Sequence, residues 1–87
     1  MANIYGIVNR LTDTIEYVGQ TKGTVAGRWN SHKSKAKHLR GVPFDIEMAV
    51  NGIDNYYPIR LVECYENQLD LLERVYIQLL QPKGNKK

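Results

Sequence analysis

Glu73 is the residue of this sequence most in need of a chemical reason. Leu69, Leu72, Tyr76, Leu79 and Leu80 recur at helical spacing near the C-terminus, and Glu73, four residues after Leu69 and three before Tyr76, falls on the same stripe. A carboxylate turned inward is costly unless it is paired or bound to a cation. The pattern leaves two readings: an ion pair with a core-facing arginine, or a metal ligand. A second set is Arg28 and His32, four residues apart and therefore neighbours at the border of a stripe made by Val25, Trp29, His32, Ala36 and Leu39. The third is a pair of tyrosines, Tyr5 and Tyr17, in two short apolar runs near the N-terminus. The period of two puts Ile15, Tyr17 and Gly19 on one face of the second run, with Glu16, Val18 and Gln20 on the other, so a glycine leaves open backbone beside Tyr17. On pattern alone the tyrosines read as core aromatics.

The elements that must position these groups are legible from turn and cap signals. "NIYGIVN" and "TIEYVGQ" read as strands joined by a hairpin loop containing Thr12, Asp13 and Thr14. Thr24 is an N-cap for the helix carrying Arg28 and His32. Gly41 breaks the chain, Pro43 opens a second helix to about Val50, and Asn51-Gly52 ends it. "YYPIRLVEC" gives a third strand from Tyr57 to Cys64. The last helix, with Asn67 and Asp70 resembling a capping box, runs to Leu80 before Pro82 and turns Glu66, Asp70 and Arg74 outward.

Eighty-seven residues make one domain, residues 1–87, with a thin core. A hydrophobic content of 43% and a charged content of 24% are those of a folded globular chain, which excludes a disordered or fibrous class. No apolar run approaches the roughly 20 residues of a membrane span, and the N-terminus has no signal-peptide pattern, so no membrane association and a cytoplasmic location are expected. Cys64 is the sole cysteine, which excludes an intrachain disulfide, and its place in "IRLVEC" is that of a buried thiol. With two histidines besides it, no zinc site of the usual kind can be assembled. Charge is distributed in two halves: six Lys or Arg and no acid from Lys22 to Arg40, then seven acids against Arg60 from Asp45 to Glu73. The basic half suits a polyanion or a solvated helix face equally well.

"IY" at Ile4–Tyr5, "YVG" at Tyr17–Gly19, "RWNSH" at Arg28–His32 and "LLERVYIQLLQPKGN" around Glu73, in this order and spacing, resemble the GIY-YIG nuclease superfamily. The resemblance covers nearly the whole chain; a departure is Asn3, where the family's first motif has glycine. It implies an α+β fold, a small three-stranded antiparallel sheet flanked by helices in the order β-β-α-α-β-α. It also implies a phosphodiester hydrolase acting on DNA, with Mg²⁺ or Mn²⁺, one ion per site, held by Glu73. Arg28 would stabilise the transition state and Tyr5 would act as general base, its phenol depressed by nearby cations such as Arg28 and Lys22. Tyr17 would hold the water or a phosphate, the two tyrosines being interchangeable, and His32 would orient Tyr5 or accept its proton. Gly19 and Asn85 are expected to support the site structurally, and Lys22, Lys33, Lys35, Lys37 and Arg40 to contact nucleic acid. The resemblance leaves open a homodimer, a separate DNA-recognition domain, a bacterial or phage-infected cell as the setting, and, as the rival reading, a catalytically silent binding module on the same fold.

Overall fold

A computed structural model of the protein describes residues 1–85. Strand β1 (Ala2–Asn9) pairs antiparallel with both β2 (Thr14–Thr21) and β3 (Tyr56–Cys64), giving a three-stranded sheet of order β2-β1-β3. Helices α1 (Val25–Lys37) and α2 (Pro43–Asn51) follow β2, and α3 (Leu69–Leu80) follows β3. This is the β-β-α-α-β-α order and the antiparallel α+β architecture that the sequence implied.

The central strand is buried along its whole length and separates two apolar clusters. Ala2 and Ile4 pack with Val18, Cys64 and Leu69, and with Leu72, Tyr76 and Ile77 of α3. Tyr5 and Ile7 pack with Phe44 and Met48 of α2, with Tyr56, and with Tyr17, Val25 and Trp29. The sheet is therefore a middle layer, with α1 and α2 on one face and α3 on the other.

A β-bulge changes the expected facing of β2. Ile7 is opposite Tyr17 but Val8 is opposite Ile15, so Glu16 is the extra residue. Ile15 consequently packs on the α3 side with Val18, while Tyr17 stays on the α1/α2 side. Strict alternation, which grouped Ile15 with Tyr17 and Gly19, fails at that one residue. The bulged Glu16 is 4% exposed, accepts a hydrogen bond from Asn9 at 3.1 Å and faces the Lys83 ammonium at 3.6 Å; the same ammonium reaches Glu47 of α2 at 3.4 Å.

Helix ends follow the local chemistry in most places. Thr24 caps α1, its hydroxyl accepting from the Gly27 N–H at 3.0 Å, and Pro43 begins α2. Gly52, at φ 96°, ends α2 in a conformation that favours glycine. The Asn67–Asp70 box does not form: a 3₁₀ turn (Glu66–Gln68) precedes α3, and the Gln68 side chain accepts from the Tyr65 N–H at 3.1 Å. Leu39 lies beyond the end of α1 and is 64% exposed, and Leu79 and Leu80 are 73% and 41% exposed. The chain leaves α1 at His38 and Leu39 takes φ 54°, so the stripe ends one turn early there, while the last turn of α3 carries Leu79 and Leu80 toward solvent.

Candidate active site

Tyr5, on the central strand, points to the α1/α2 face and is 1% exposed. Its cross-strand partner is Gly19, and a Cβ at that position would collide with the phenol oxygen. Glycine is thus required by the close approach of the Tyr5 hydroxyl, not by a space beside Tyr17 as strand alternation had suggested.

Two residues of α1 converge on that hydroxyl. His32 Nε2 shares a hydrogen bond with it at 2.7 Å, and Arg28 Nε donates to it at 3.3 Å. The i, i+4 spacing stacks these side chains on the helix face turned to the sheet. His32 is wholly buried; its other ring nitrogen, Nδ1, lies 2.5 Å from Asp45 Oδ1. Asp45, on the first turn of α2 and 1% exposed, accepts the Val42 N–H on its second oxygen at 3.1 Å. Asp45 was not among the residues that the sequence singled out. The available signal was an acid three residues after Val42 in a Pro-led helix, and that signal reads as an ordinary helix cap.

Tyr17 is half-buried beside this chain, its ring stacked on Phe44 at 5.0 Å between centroids and edge-on to His32 at 5.6 Å. Asn85 holds it in place from behind. The Asn85 amide donates to the Val18 carbonyl at 2.9 Å and accepts the Val18 N–H at 2.7 Å, acting as a one-residue strand partner on the open edge of β2, between Tyr17 and Gly19. The 3₁₀ turn (Lys83–Asn85) that carries it is pressed against β2 and α2, since a Cβ on Gly84 would come within 2.5 Å of the Glu16 carbonyl and the Phe44 ring.

Glu73 lies at the rim, half-buried, and no arginine pairs with it among the described residues. Its carboxylate accepts from the Gln20 side-chain amide, which also donates to Asp70 at 2.9 Å. Arg28 likewise has no carboxylate partner among the described residues; besides Tyr5 it donates to the Ser31 hydroxyl at 3.4 Å. The structural ion pair that the sequence left open is therefore not what these two residues do.

The electrostatics of the phenols run against the expected depression. Burial pushes Tyr5 up to about 12, and the Arg28 guanidinium offsets only part of that. Tyr17 is also raised, by burial and then by the Glu73 charge, against the opposing pull of Arg28. His32 is lowered by burial, with the Asp45 hydrogen bond and charge pulling the other way. Burial thus favours the uncharged form of both the Tyr5 phenol and the His32 imidazole.

The basic residues do not share one face. At about 100° per residue, Lys35 lies about 20° from Arg28 around α1, whereas Lys33 and Lys37 lie about 140° and 180° away. Lys22, Lys33, Lys37 and Arg40 are exposed and Lys35 half-buried.

The model of the GIY-YIG catalytic domain matches residues 1–87. The chain belongs to the GIY-YIG nuclease family. The fold agrees: the catalytic domain of the homing endonuclease I-TevI superposes with a TM-score of 0.78, covering 98% of this chain and 94% of that one at 22% identity. A relative in sequence is the uncharacterized protein 019R of Invertebrate iridescent virus 6, 33% identical over 78 residues. That match covers 86% of this GIY-YIG chain but 28% of the viral protein. No helix among the described residues is long and apolar enough to cross a membrane.

Proposed function

We propose that this GIY-YIG domain is a divalent-metal-dependent endonuclease hydrolysing DNA phosphodiester bonds, with Tyr5 as general base, Arg28 as the phosphate-facing cation and Glu73 as the carboxylate that holds the metal. The observation that carries the reading is the convergence of Arg28 and His32 on one phenol oxygen. A phenol pushed up to about 12 is not a base at neutral pH by itself, so it needs a partner to take its own proton as it removes one from water. His32 Nε2 is at hydrogen-bond distance for that transfer.

Arg28 has two parts in this reading. In the resting protein its guanidinium covers the Tyr5 hydroxyl through the long 3.3 Å bond. A phosphate offers a much stronger, charge-assisted, forked partner, so Arg28 turns to the substrate and opens the phenol to water at the same moment. Tyr17, half-buried and with no hydrogen bond to its hydroxyl among the described residues, would hold a water or a phosphate oxygen beside them.

No group of three or more His, Cys, Asp or Glu side chains is assembled among the described residues, which does not suit a dedicated zinc cage. Glu73, reachable at the rim with the Asp70 carboxylate joined to it through Gln20, fits a hard cation such as Mg²⁺ or Mn²⁺ that keeps most of its waters and takes substrate phosphate as a further ligand. When bound, such an ion would supply neutralisation of charge on the phosphoryl group and the departing oxygen. Incubation with supercoiled plasmid and Mg²⁺, with and without EDTA, tests the activity on a gel: nicked or linear product only without chelator is expected, and intact plasmid at every metal concentration would overturn the reading in favour of a binding module.

A further inference from the structure

We propose that Asp45 is a positioning residue of this nuclease, fixing His32 in the tautomer whose Nε2 lone pair faces the Tyr5 hydroxyl and stabilising the imidazolium formed when Tyr5 passes its proton on. The inference rests on the hydrolytic reading above and adds a third member to it. Both Asp45 oxygens are engaged as acceptors: Oδ2 takes the Val42 N–H at 3.1 Å and Oδ1 stands 2.5 Å from His32 Nδ1. An acceptor on that side requires Nδ1 to carry the ring proton. Nε2 is then an acceptor, and the 2.7 Å contact becomes Tyr5 O–H donating to His32. Without the carboxylate, the ring could as easily place its proton on Nε2 and donate to the phenol, which would block the transfer.

The loop around Asp45 is built to hold the carboxylate. Gly41 adopts φ 91°, and a Cβ there would collide with Asp45 Oδ2. The same carboxylate satisfies an orphan N–H at the start of α2, so one acid connects the helix start to the ring of His32. A merely structural acid could do as much with its oxygens toward solvent; this one is 1% exposed and aimed at His32, itself wholly buried and bonded to Tyr5.

In the proposed step the O–H bond of the attacking water breaks as its proton moves to Tyr5 Oη, and the original Tyr5 proton moves to His32 Nε2. The hydroxide forms a bond to phosphorus and the phosphorus–oxygen bond to the departing alcohol breaks, that oxygen taking a proton from solvent. Tyr5 then releases the water-derived proton to solvent as His32 returns its own to Tyr5, which balances the proton taken up by the departing alcohol, while the second hydrogen of the water stays on the phosphomonoester product. Asp45 touches neither water nor phosphorus; it acts through His32.

The test has two readouts that fail independently. Nitrogen-15 NMR of wild-type protein near pH 7 should give His32 as the Nδ1–H tautomer, whether or not any DNA is cut; an Nε2–H tautomer would overturn the proposal. In cleavage, Asp45→Asn should lower the single-turnover rate by about 10² or more while leaving DNA affinity unchanged. His32→Gln should lose a similar amount, and Asp45→Asn should add little to it, because both changes remove one relay. Additive losses, or a folded Asp45→Asn protein that cuts at the wild-type rate, would sink it. Should Asp45→Asn not fold, the wild-type tautomer decides alone. If wild-type protein cuts no DNA but shows the Nδ1–H tautomer, the hydrolytic reading fails and with it the catalytic role of Asp45, while the positioning of His32 stands.

Discussion

The two faces of the sheet hold their polar groups in opposite ways. On the α1/α2 face, Tyr5, His32 and Asp45 are 1%, 0% and 1% exposed and joined end to end by hydrogen bonds at 2.7 and 2.5 Å. On the α3 face the interior is apolar, from Ala2 and Ile4 to Leu69, and the one acid of interest, Glu73, sits at the rim against a flexible glutamine. Buried polar chains hold geometry because every alternative leaves an orphaned group in low dielectric. A rim carboxylate can exchange partners at little cost. Proton transfer needs the first kind of environment and entry of a hydrated cation needs the second, and the two adjoin at β2, where the rim charge of Glu73 still acts on the half-buried Tyr17 beside His32.

The largest test of that comparison is at the rim. Glu73→Gln removes the charge without changing shape, and cleavage should be abolished at all Mg²⁺ concentrations while DNA binding survives or tightens. Because Glu73 pairs with no arginine among the described residues, the melting temperature should move little. Wild-type cleavage by this variant would remove Glu73 from the metal site.

Inside the chain, Tyr5→Phe keeps the ring and deletes the oxygen on which Arg28 and His32 converge. Turnover should fall by roughly 100-fold or more, with a stability change of about 1–3 kcal/mol as His32 loses its buried partner. Tyr17→Phe, at a half-buried position with no hydroxyl contact to His32, should lose less of both. Equal activity in Tyr5→Phe and wild type would break the contrast between the faces.

Support of the site from behind is the next effect in size. Gly84→Ala forces a methyl group to within 2.5 Å of the Glu16 carbonyl and Phe44, and overpacking of this kind costs about 1–3 kcal/mol. Asn85→Ala removes both hydrogen bonds to Val18 and should cost about 1–3 kcal/mol. Thermal melts check both; an unchanged melting temperature would mean that the C-terminal turn is not holding β2.

The pH dependence distinguishes the faces in a different way. His32 is lowered from its ordinary 6.5, so as pH falls below 6.5 the unfolded chain takes up a proton that the buried ring refuses, and stability declines toward the folded-state value. Tyr5 is raised from 10.0 to about 12, so stability is full below pH 10 and lost as pH rises from 10 toward 12. The groups facing His32 are Tyr5 and Tyr17 from the sheet, Arg28 and Lys35 from α1, and Asp45 from α2. Denaturant midpoints between pH 5 and 8 should show the acid-side loss, reduced in His32→Gln; an identical loss in that variant would assign it elsewhere.

The smallest effect concerns DNA contacts on α1. Lys35, close to Arg28 around the helix, should reduce the salt dependence of duplex binding by about one counterion when changed to Ala, whereas Lys33→Ala and Lys37→Ala should leave the slope unchanged. Equal slopes for all three would show that the DNA path wraps the outer face of the helix, away from the Tyr5 chain.

Much of this molecule was determined locally. The order of elements, the Thr24 cap, the Pro43 start and Gly52 end of α2, and the adjacency of Arg28 and His32 follow from dihedral preferences and helical spacing within a few residues. Glu73 could be flagged because an acid on an apolar stripe is a local contradiction. What required the tertiary structure were the contacts between distant segments. The bulge at Glu16 depends on how β1 pairs, and it sends Ile15 to the face opposite Tyr17. Leu39, Leu79 and Leu80 continue their patterns but lie beyond the packed surface. Gly19 is a glycine because of a hydroxyl fourteen residues earlier in the chain, at Tyr5. Asp45 looks like any acid in a first helical turn until α2 packs against α1 and places it on His32, thirteen residues away. Spacing along the chain encodes which face of an element a side chain occupies; which partner waits on that face is decided only when the elements meet.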